Sequence, residues 1–453
     1  TIWRKHCLIW DVSPRHARRQ SVPCGWAARF KRVRRRPSTR LSRTNYNLMS
    51  QVSLFRHAVF TRYWVGDIAS VLANQMLLLA LGWQIYDLTS SAMSLGLVGL
   101  AHFGAQFVFT LPAGHVADRY DRRHVALVCQ LVQGAVALVL AAANLGGWIN
   151  AGVIYACVFA AAIGQTFQNP AMRSLLPSLV GIELLPRCIA FHAAAKKAAI
   201  IVGPALGGAI YLAGASTAYA TSAIAFVVAG ALILCIRSTH VPRAHEPANW
   251  TYVLGGLRYI FRNPILSGAI TLDLFATLLG GAVALLPIYA RDILNTGPVG
   301  LGLLRSAPAL GAVLASLWLI RFPLTHSVGR ILFASFAAFG ITTIVFGYST
   351  WLPLSLLALT LMGMADMVSV VIRSSLVQLE TPDDMRGRVS AVHSLFTGTA
   401  NHLGQFESGV TAAWWGAVPA VIVGGVGTLV VVGVWTRLFP ALVKRDTLTV
   451  KPA

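Results

Sequence analysis

Charge is scarce in this chain. Only 11% of its 453 residues are Asp, Glu, Lys or Arg, against about a quarter in a water-soluble domain, and that excludes an ordinary soluble fold. Acids are the rarer sign, with 15 Asp and Glu against 37 Lys and Arg. The six cysteines (Cys7, Cys24, Cys129, Cys157, Cys188, Cys235) are scattered with no Cys-x-x-Cys spacing. That pattern argues against a disulfide framework or a metal site and for small buried residues. The phosphate-gripping glycine loop, the zinc-protease HExxH and the hydrolase GxSxG are all missing. An ATP-driven pump is therefore disfavoured, and an integral membrane enzyme stays only as an alternative. No cofactor and no metal are expected.

What is present is apolar. Hydrophobic residues make up 56% of the chain, in recurring runs of about 20 residues, the length that crosses bilayer hydrocarbon as a helix. The pattern predicts an all-α integral membrane protein with twelve helices. Six run 62–87, 92–116, 123–146, 150–173, 189–212 and 217–237; six more run 264–290, 298–321, 328–348, 352–374, 388–413 and 416–438. The expected domains are a basic, disordered extension (1–50), a six-helix bundle (51–237), a linker (238–263), a second six-helix bundle (264–438) and a tail (439–453). Within the linker, Trp250, Val253, Leu254, Leu257 and Phe261 fall at helical spacing with Arg258 and Arg262 beside them. This predicts a surface helix along the membrane.

A net charge of +22 would ordinarily suggest nucleic acid, but its distribution does not. Thirteen of the basic residues lie in 1–48, ahead of Met49. That segment reads as translated upstream sequence, with a lipid-touching basic tail or a targeting peptide as alternatives. Most other basic residues sit between apolar runs. With the N-terminus inside, the five inner connections and their flanks hold fourteen arginines, and the six outer turns hold one, Arg291. This positive-inside bias predicts an inner-membrane protein with both termini cytoplasmic.

The two halves repeat. A shift of 201 lays Arg187-x-x-Ala190-x-His192 on Arg388-x-x-Ala391-x-His393, Gly203 on Gly404 and Gly208 on Gly409. Parallel six-helix repeats describe a transporter with a site between its halves. The densest charge cluster is GHVADRYDRR at 114–123, between two apolar runs. Asp118 and Asp121 precede a helix start, where the dipole favours acids; Arg119, Arg122 and Arg123 hold the loop inside. A second motif, IIVGPALGG at 200–208, sets Gly203 and Gly207 on one helix face for close packing, with Pro204 a weak point and Gly208 beside it. TPDDMRGR at 381–388 reads as a helix start, with Thr381 as cap and Pro382, Asp383 and Asp384 in the first turn.

These motifs resemble the major facilitator superfamily, and most closely its enterobactin exporter-like branch, over about 51–440. The first motif is similar to that family's G-x-x-x-D-R-x-G-R-R/K signature, with Asp121 where Gly is usual. The resemblance implies that Gly114, Asp118, Arg119, Asp121, Arg122 and Arg123 form a cytoplasmic gate that latches the halves. The counterpart loop at 321–330 keeps little beyond Gly329 and Arg330. The second motif is similar to the antiporter motif, with Ala199 in place of its first Gly, and implies export against a proton gradient.

Ionisable residues inside a membrane are costly and are functional candidates by default. Asp273 lies about 13 Å into its helix at 1.5 Å per residue; with Asp366 and Glu407 it is a candidate proton carrier. Asp67, near the inner end of the first helix, reads as solvated. Lys196, Lys197, Arg305, Asn74, Gln75 and Gln106 are cavity candidates, although adjacent Lys196 and Lys197 cannot both face one cavity. Arg305 pairs with Glu407 or sits near the outer mouth. The expectation is a monomeric, proton-coupled exporter of a medium-sized amphipathic small molecule, siderophore or drug-like, with no nucleic-acid partner. An importer or lysophospholipid flippase on the same fold is the alternative.

Overall fold

A computed structural model describes residues 58–181, 183–236 and 250–447, leaving out the side chains of Asp118 and of 250–253. The expected N-terminal extension and most of the linker before Trp250 lie outside the described residues. The rest is helical. The first six long helices are α1 (Ala58–Thr89), α2 (Ala92–Arg119), α3 (Arg122–Leu145), α4 (Ala151–Leu179), α5 (Leu185–Tyr211) and α6 (Ala215–Leu234). After α7 (Trp250–Arg262) come α8 (Pro264–Leu279), α9 (Gly297–Arg321), α10 (Val328–Tyr348), α11 (Leu352–Leu379), α12 (Arg386–Trp415) and α13 (Ala417–Leu438), with a last turn α14 (Pro440–Val443).

Eleven described segments, with Pro264–Ile293 taken as one, are long and apolar enough to cross a membrane. The twelfth, α12, has the length, 30 residues, but not the composition. His393, Thr397, Asn401 and Gln405 recur every fourth residue along it, and one polar stripe of that kind can be kept from lipid only by facing the protein interior. Lipid offers no partner to backbone amides, so each span satisfies its own as a helix. The turns are tight: Gly214 and Gly416, at φ +109° and +88°, make the α5–α6 and α12–α13 connections in a conformation that L residues rarely adopt.

The packing shows two pseudo-symmetric six-helix bundles. In the first, α3 packs on α6 and α2 on α4; in the second, α10 packs on α13 and α9 on α11. The bundles meet through two equivalent crossings, α2 with α12 and α5 with α9. Close backbone approach makes these crossings. A Cβ on Gly99 would lie 2.7 Å from Gln405 Cβ, and one on Gly302 would lie 2.6 Å from the Pro204 carbonyl. Gly96 and Gly409 face each other directly.

Two local expectations change, and α7 adds a buried contact. The seventh predicted span, 264–290, is broken: α8 stops at Leu279, and a 3-10 turn (Ala282–Leu285) and a π turn (Tyr289–Ile293) carry the chain onward. The break falls at Gly280 and Gly281, and Gly281 lies against the Gly404 carbonyl with no room for a side chain. The helix expected from Thr381 starts instead at Arg386, with Met385 at its N-cap. Thr381 Oγ1 is buried without a hydrogen-bond partner, and Asp383 pairs with Arg386 at 2.7 Å. In α7, Leu254 and Phe261 are exposed, whereas Ile260, outside the expected stripe, is fully buried with Val389 and Val392 of α12. Gly256 seats the helix there, since a Cβ would lie 2.6 Å from the Arg388 carbonyl.

Candidate functional site

The helix ends joined by the 119–123 loop and by the other basic connections form one end of the molecule, here called the basic end; the opposite end is the far end. Between the two bundles lies a cavity of about 670 Å³, inside the range of small-molecule sites. Its wall includes Val283 and Ala284 of the broken span, Arg305 of α9, and Ser394, His402 and Gln405 of α12. Gln75 of α1, His102 and Gln106 of α2, and Gln165 and Asn169 of α4 complete it. Toward the basic end it reaches Gly114, where a Cβ would meet nothing within 4 Å, and Arg173, which is exposed. Ser394, His402 and Gln405 turn polar groups of α12 toward the cavity.

The far end is shut. Tyr86 OH donates to the Asp292 carboxylate across the bundles. Arg291 Nη1 donates to the Tyr86 carbonyl at 3.2 Å and lies 3.4 Å from Asp87. Deeper in, Ser306 Oγ of α9 donates to the Ile201 carbonyl of α5 at 2.5 Å.

At the basic end the charged motif ties its own bundle together. Asp121 caps α3, accepting from the Arg123 N–H at 3.0 Å, and its carboxylate pairs with the Arg123 guanidinium at 2.6 Å. The hydrogen bonds from the Arg123 side chain hold the Asp121 carboxyl below the usual carboxylate range. Arg122 donates to the Ser174 carbonyl of α4 at 2.9 Å and Arg123 to the Ile236 carbonyl after α6 at 2.7 Å. Arg119 is exposed and Gly114 lies on the cavity wall. Asp118 belongs to the last turn of α2 rather than to the start of α3, and its side chain lies outside the described residues. The 321–330 loop instead engages the tail: Ser327 N–H donates to Asp446 at 2.9 Å and Gly329 N–H to the Arg445 carbonyl at 2.9 Å.

The second glycine motif wedges α5 between the bundles. A Cβ on Gly203 would lie 2.6 Å from Gln75 Cβ, and one on Gly207 would lie 2.9 Å from Met76 Cα, both on α1. Gly208 faces the Pro298 carbonyl of α9, in the other bundle. Pro204 lines the cavity.

The intramembrane acids separate into different surroundings. Asp273 is 4% exposed and forms an ion pair with Arg373 of α11, itself 3% exposed. Thr277 Oγ1 donates to it at 3.1 Å and Thr397 Oγ1 at 3.4 Å. Asp366 is half-exposed and 3.8 Å from Arg373 Nη2. Glu407 accepts from Ser408 Oγ at 3.4 Å; no ion pair joins it to Arg305 among the described residues, so the expected pairing does not form. Arg305 lines the cavity instead of the outer mouth.

Asp67, read from sequence as solvated, is 3% exposed. His192 Nε2 lies 3.0 Å from its Oδ2 and Lys196 Nζ 3.7 Å. The three line a side chamber of about 290 Å³ that also contains Asn74 and shares Gln75, Gln165 and Arg173 with the central cavity. Lys196 therefore faces this chamber, while Lys197, one position on, is exposed. The spacing of Asp67 gave no sign of this cluster; the R-x-x-A-x-H repeat marked His192, without its partner.

Comparison with known proteins agrees with this architecture. The family model described as transmembrane secretion effector matches residues 49–451. The enterobactin exporter EntS of Salmonella typhimurium is 26% identical over 409 residues, covering 85% of this chain and 93% of that protein. A bacterial homologue of the human lysosomal transporter Spinster, in an inward-facing and unoccupied conformation, superposes with a TM-score of 0.69 at 11% identity, covering 88% of this chain and 100% of that one. A bacterial homologue of the iron transporter ferroportin, in an inward-facing state, gives a TM-score of 0.67 at 16% identity, covering 87% and 100%. With two six-helix bundles around a polar cavity and a family match over nearly all of its length, the chain is a multi-pass membrane transporter that belongs to the transmembrane secretion effector family of the major facilitator superfamily.

Proposed function

We propose that the protein exports a medium-sized amphipathic compound, siderophore-like or drug-like, from the cytoplasm by proton-coupled alternating access. The observation that carries this is the cavity between the bundles, shut at the far end by the Tyr86, Asp87, Arg291 and Asp292 cluster and reaching Gly114 and Arg173 at the basic end. With the basic end cytoplasmic, this is the loading state of an exporter. A volume near 670 Å³ suits a compound of drug or siderophore size. The similarity to the enterobactin exporters supports the same direction.

Release requires the far end to open and the basic end to close. In that state the 114–123 loop becomes the latch between the bundles, built from the arginines that here hold Ser174 and Ile236 within one bundle. Protons bias the cycle through buried carboxylates. Asp273 with Arg373, and Asp67 with His192 and Lys196, each combine an acid with a basic partner that can release it on protonation. Asp366 and Glu407 are the remaining carriers to test.

The test uses proteoliposomes containing purified protein oriented with the basic end outward. An acidic lumen should drive accumulation of a candidate siderophore, with proton release to the outside, and collapse of the gradient should abolish it. Accumulation against the opposite gradient would indicate an importer. Movement of lysophospholipid without proton exchange would indicate the flippase alternative. Either result would overturn this reading.

A further inference from the structure

The midplane of the cavity holds positive charge that the fold does not neutralise. That charge is the Arg305 guanidinium; His102 and His402 line the cavity with it, Arg173 lies toward the basic end, and no acid is among the lining residues. Arg305 lies eight residues, or about 12 Å, from the far end of α9. Its Nε is buried without a hydrogen-bond partner, and no ion pair reaches its guanidinium among the described residues. This differs from Arg373, which lies in the same bundle and is paired with Asp273.

Two imidazoles stand beside it. His102 of α2 and His402 of α12 stack across the bundle interface, with ring centroids 5.2 Å apart and planes inclined by 9°. His102 is 7% exposed, and its Nε2 has no partner; neither has His402 Nδ1. Arg305 and both imidazoles line the same cavity. Gly82 of α1 leaves space for it, since a Cβ there would lie 3.2 Å from Arg305 Nη2. Gln106, whose Oε1 is also buried and unpartnered, and Gln405 line the same cavity as neutral groups.

A guanidinium without an ion pair at this depth in the membrane is costly. A fold that keeps one on a cavity wall, with unsatisfied imidazole nitrogens beside it, is prepared for a ligand that brings negative charge. The guanidinium fork matches a planar carboxylate in bidentate fashion. We infer that Arg305, His102 and His402 form the binding subsite for the carboxylate end of an organic anion, with the rest of the ligand in the wider cavity toward Gly114. His102 and Gly82 belong to the first bundle and Arg305 and His402 to the second, so the anion bridges the bundles. This deepens the exporter reading and rests on the central cavity being the substrate site.

The experiment measures binding to purified full-length protein in nanodiscs, with no gradient. The probes are 2-naphthoate, its neutral amide 2-naphthamide, and 2-naphthylmethylamine. For the wild type, 2-naphthoate should raise the melting temperature and bind at least about tenfold more tightly than the amide or the amine. Arg305→Gln should weaken naphthoate about tenfold or more and leave the amide unchanged. Arg305→Lys should fall between, and the pair His102→Gln with His402→Gln should weaken naphthoate alone. Should Arg305→Gln fail to fold, Gly82→Leu is the second variant: it fills the space beside the guanidinium and should lower naphthoate affinity without removing charge. The inference is overturned if the amide or amine binds the wild type as tightly as naphthoate. Absent naphthoate binding, or unchanged affinity in the folded variants, overturns it too. Loss of proton-driven transport with selective naphthoate binding intact would strike the exporter reading alone.

Discussion

Replacing Asp273 by Asn removes one charge from a pair in which both members are almost fully excluded from the surface, at 4% and 3% exposure. The change keeps size and shape and leaves Arg373 with Ser369, half-exposed Asp366 at 3.8 Å and the face of Phe336 at 5.3 Å. Stranding a buried charge in this way costs about 3–5 kcal/mol, roughly two to four orders of magnitude in the folded-to-unfolded ratio. Arg373→Met strands the carboxylate instead and should cost a similar amount. The double variant strands neither and should return to within about 2 kcal/mol of the wild type, because a buried ion pair replaced whole is close to neutral. Unfolding of the four proteins in nanodiscs closes this cycle. Single variants that cost under about 1 kcal/mol, or two costs that simply add, would refute the argument. The same double variant separates structure from coupling: folded but unable to accumulate substrate against a gradient, it assigns a proton to Asp273. Full gradient-driven transport would remove Asp273 from coupling.

Arg291→Ala removes one member of the far-end closure; a half-exposed pair contributes up to about 1 kcal/mol, so spin-label distances across the far end should show up to a roughly fivefold shift toward the open form. Gly409→Val puts a branched side chain against Gly96, which blocks the α2–α12 crossing; cysteines at the far end should become reactive from that side, and unaltered reactivity would refute the close approach. The ionised Asp121 carboxylate favours the folded loop because Arg123 donates to it and lowers its pKa. That contribution is complete above the unfolded-state value near 3.9 and is lost as the pH falls through the lower folded-state value. Asp121→Ala should lose the cap at about 1 kcal/mol and abolish this acid dependence, seen as faster hydrogen exchange at the Arg123 amide already at neutral pH. Asp67→Asn should weaken proton-driven transport while far-end closure persists, because the Asp67 cluster lies at the wall of α1 and α5 and not at the far-end contacts; transport equal to wild type would remove the side chamber from coupling.

Much of the architecture was legible in the residues because lipid constrains each span separately. A helix must satisfy its own amides over about 20 residues, so helix number and approximate bounds follow from local composition. The break at Gly280–Gly281 was not legible, because the close contact made there is with the Gly404 backbone on another helix. Thr381 and Pro382 had the chemistry of a helix start, yet Thr381 is buried and the helix begins at Arg386.

The sequence by itself determined the bundle count, the repeat, the charge motif at 114–123 and the set of intramembrane charges. Only the tertiary structure decided which of those charges meet. Asp67 joins His192 and Lys196, Asp273 joins Arg373, and Arg305 joins no acid among the described residues. His102 and His402 are 300 residues apart in the chain and stack across the bundle interface. The reason is physical: hydropathy commits a segment to the membrane, but helix rotation and neighbour choice are set by close glycine contacts and polar pairing between segments, which no single segment encodes.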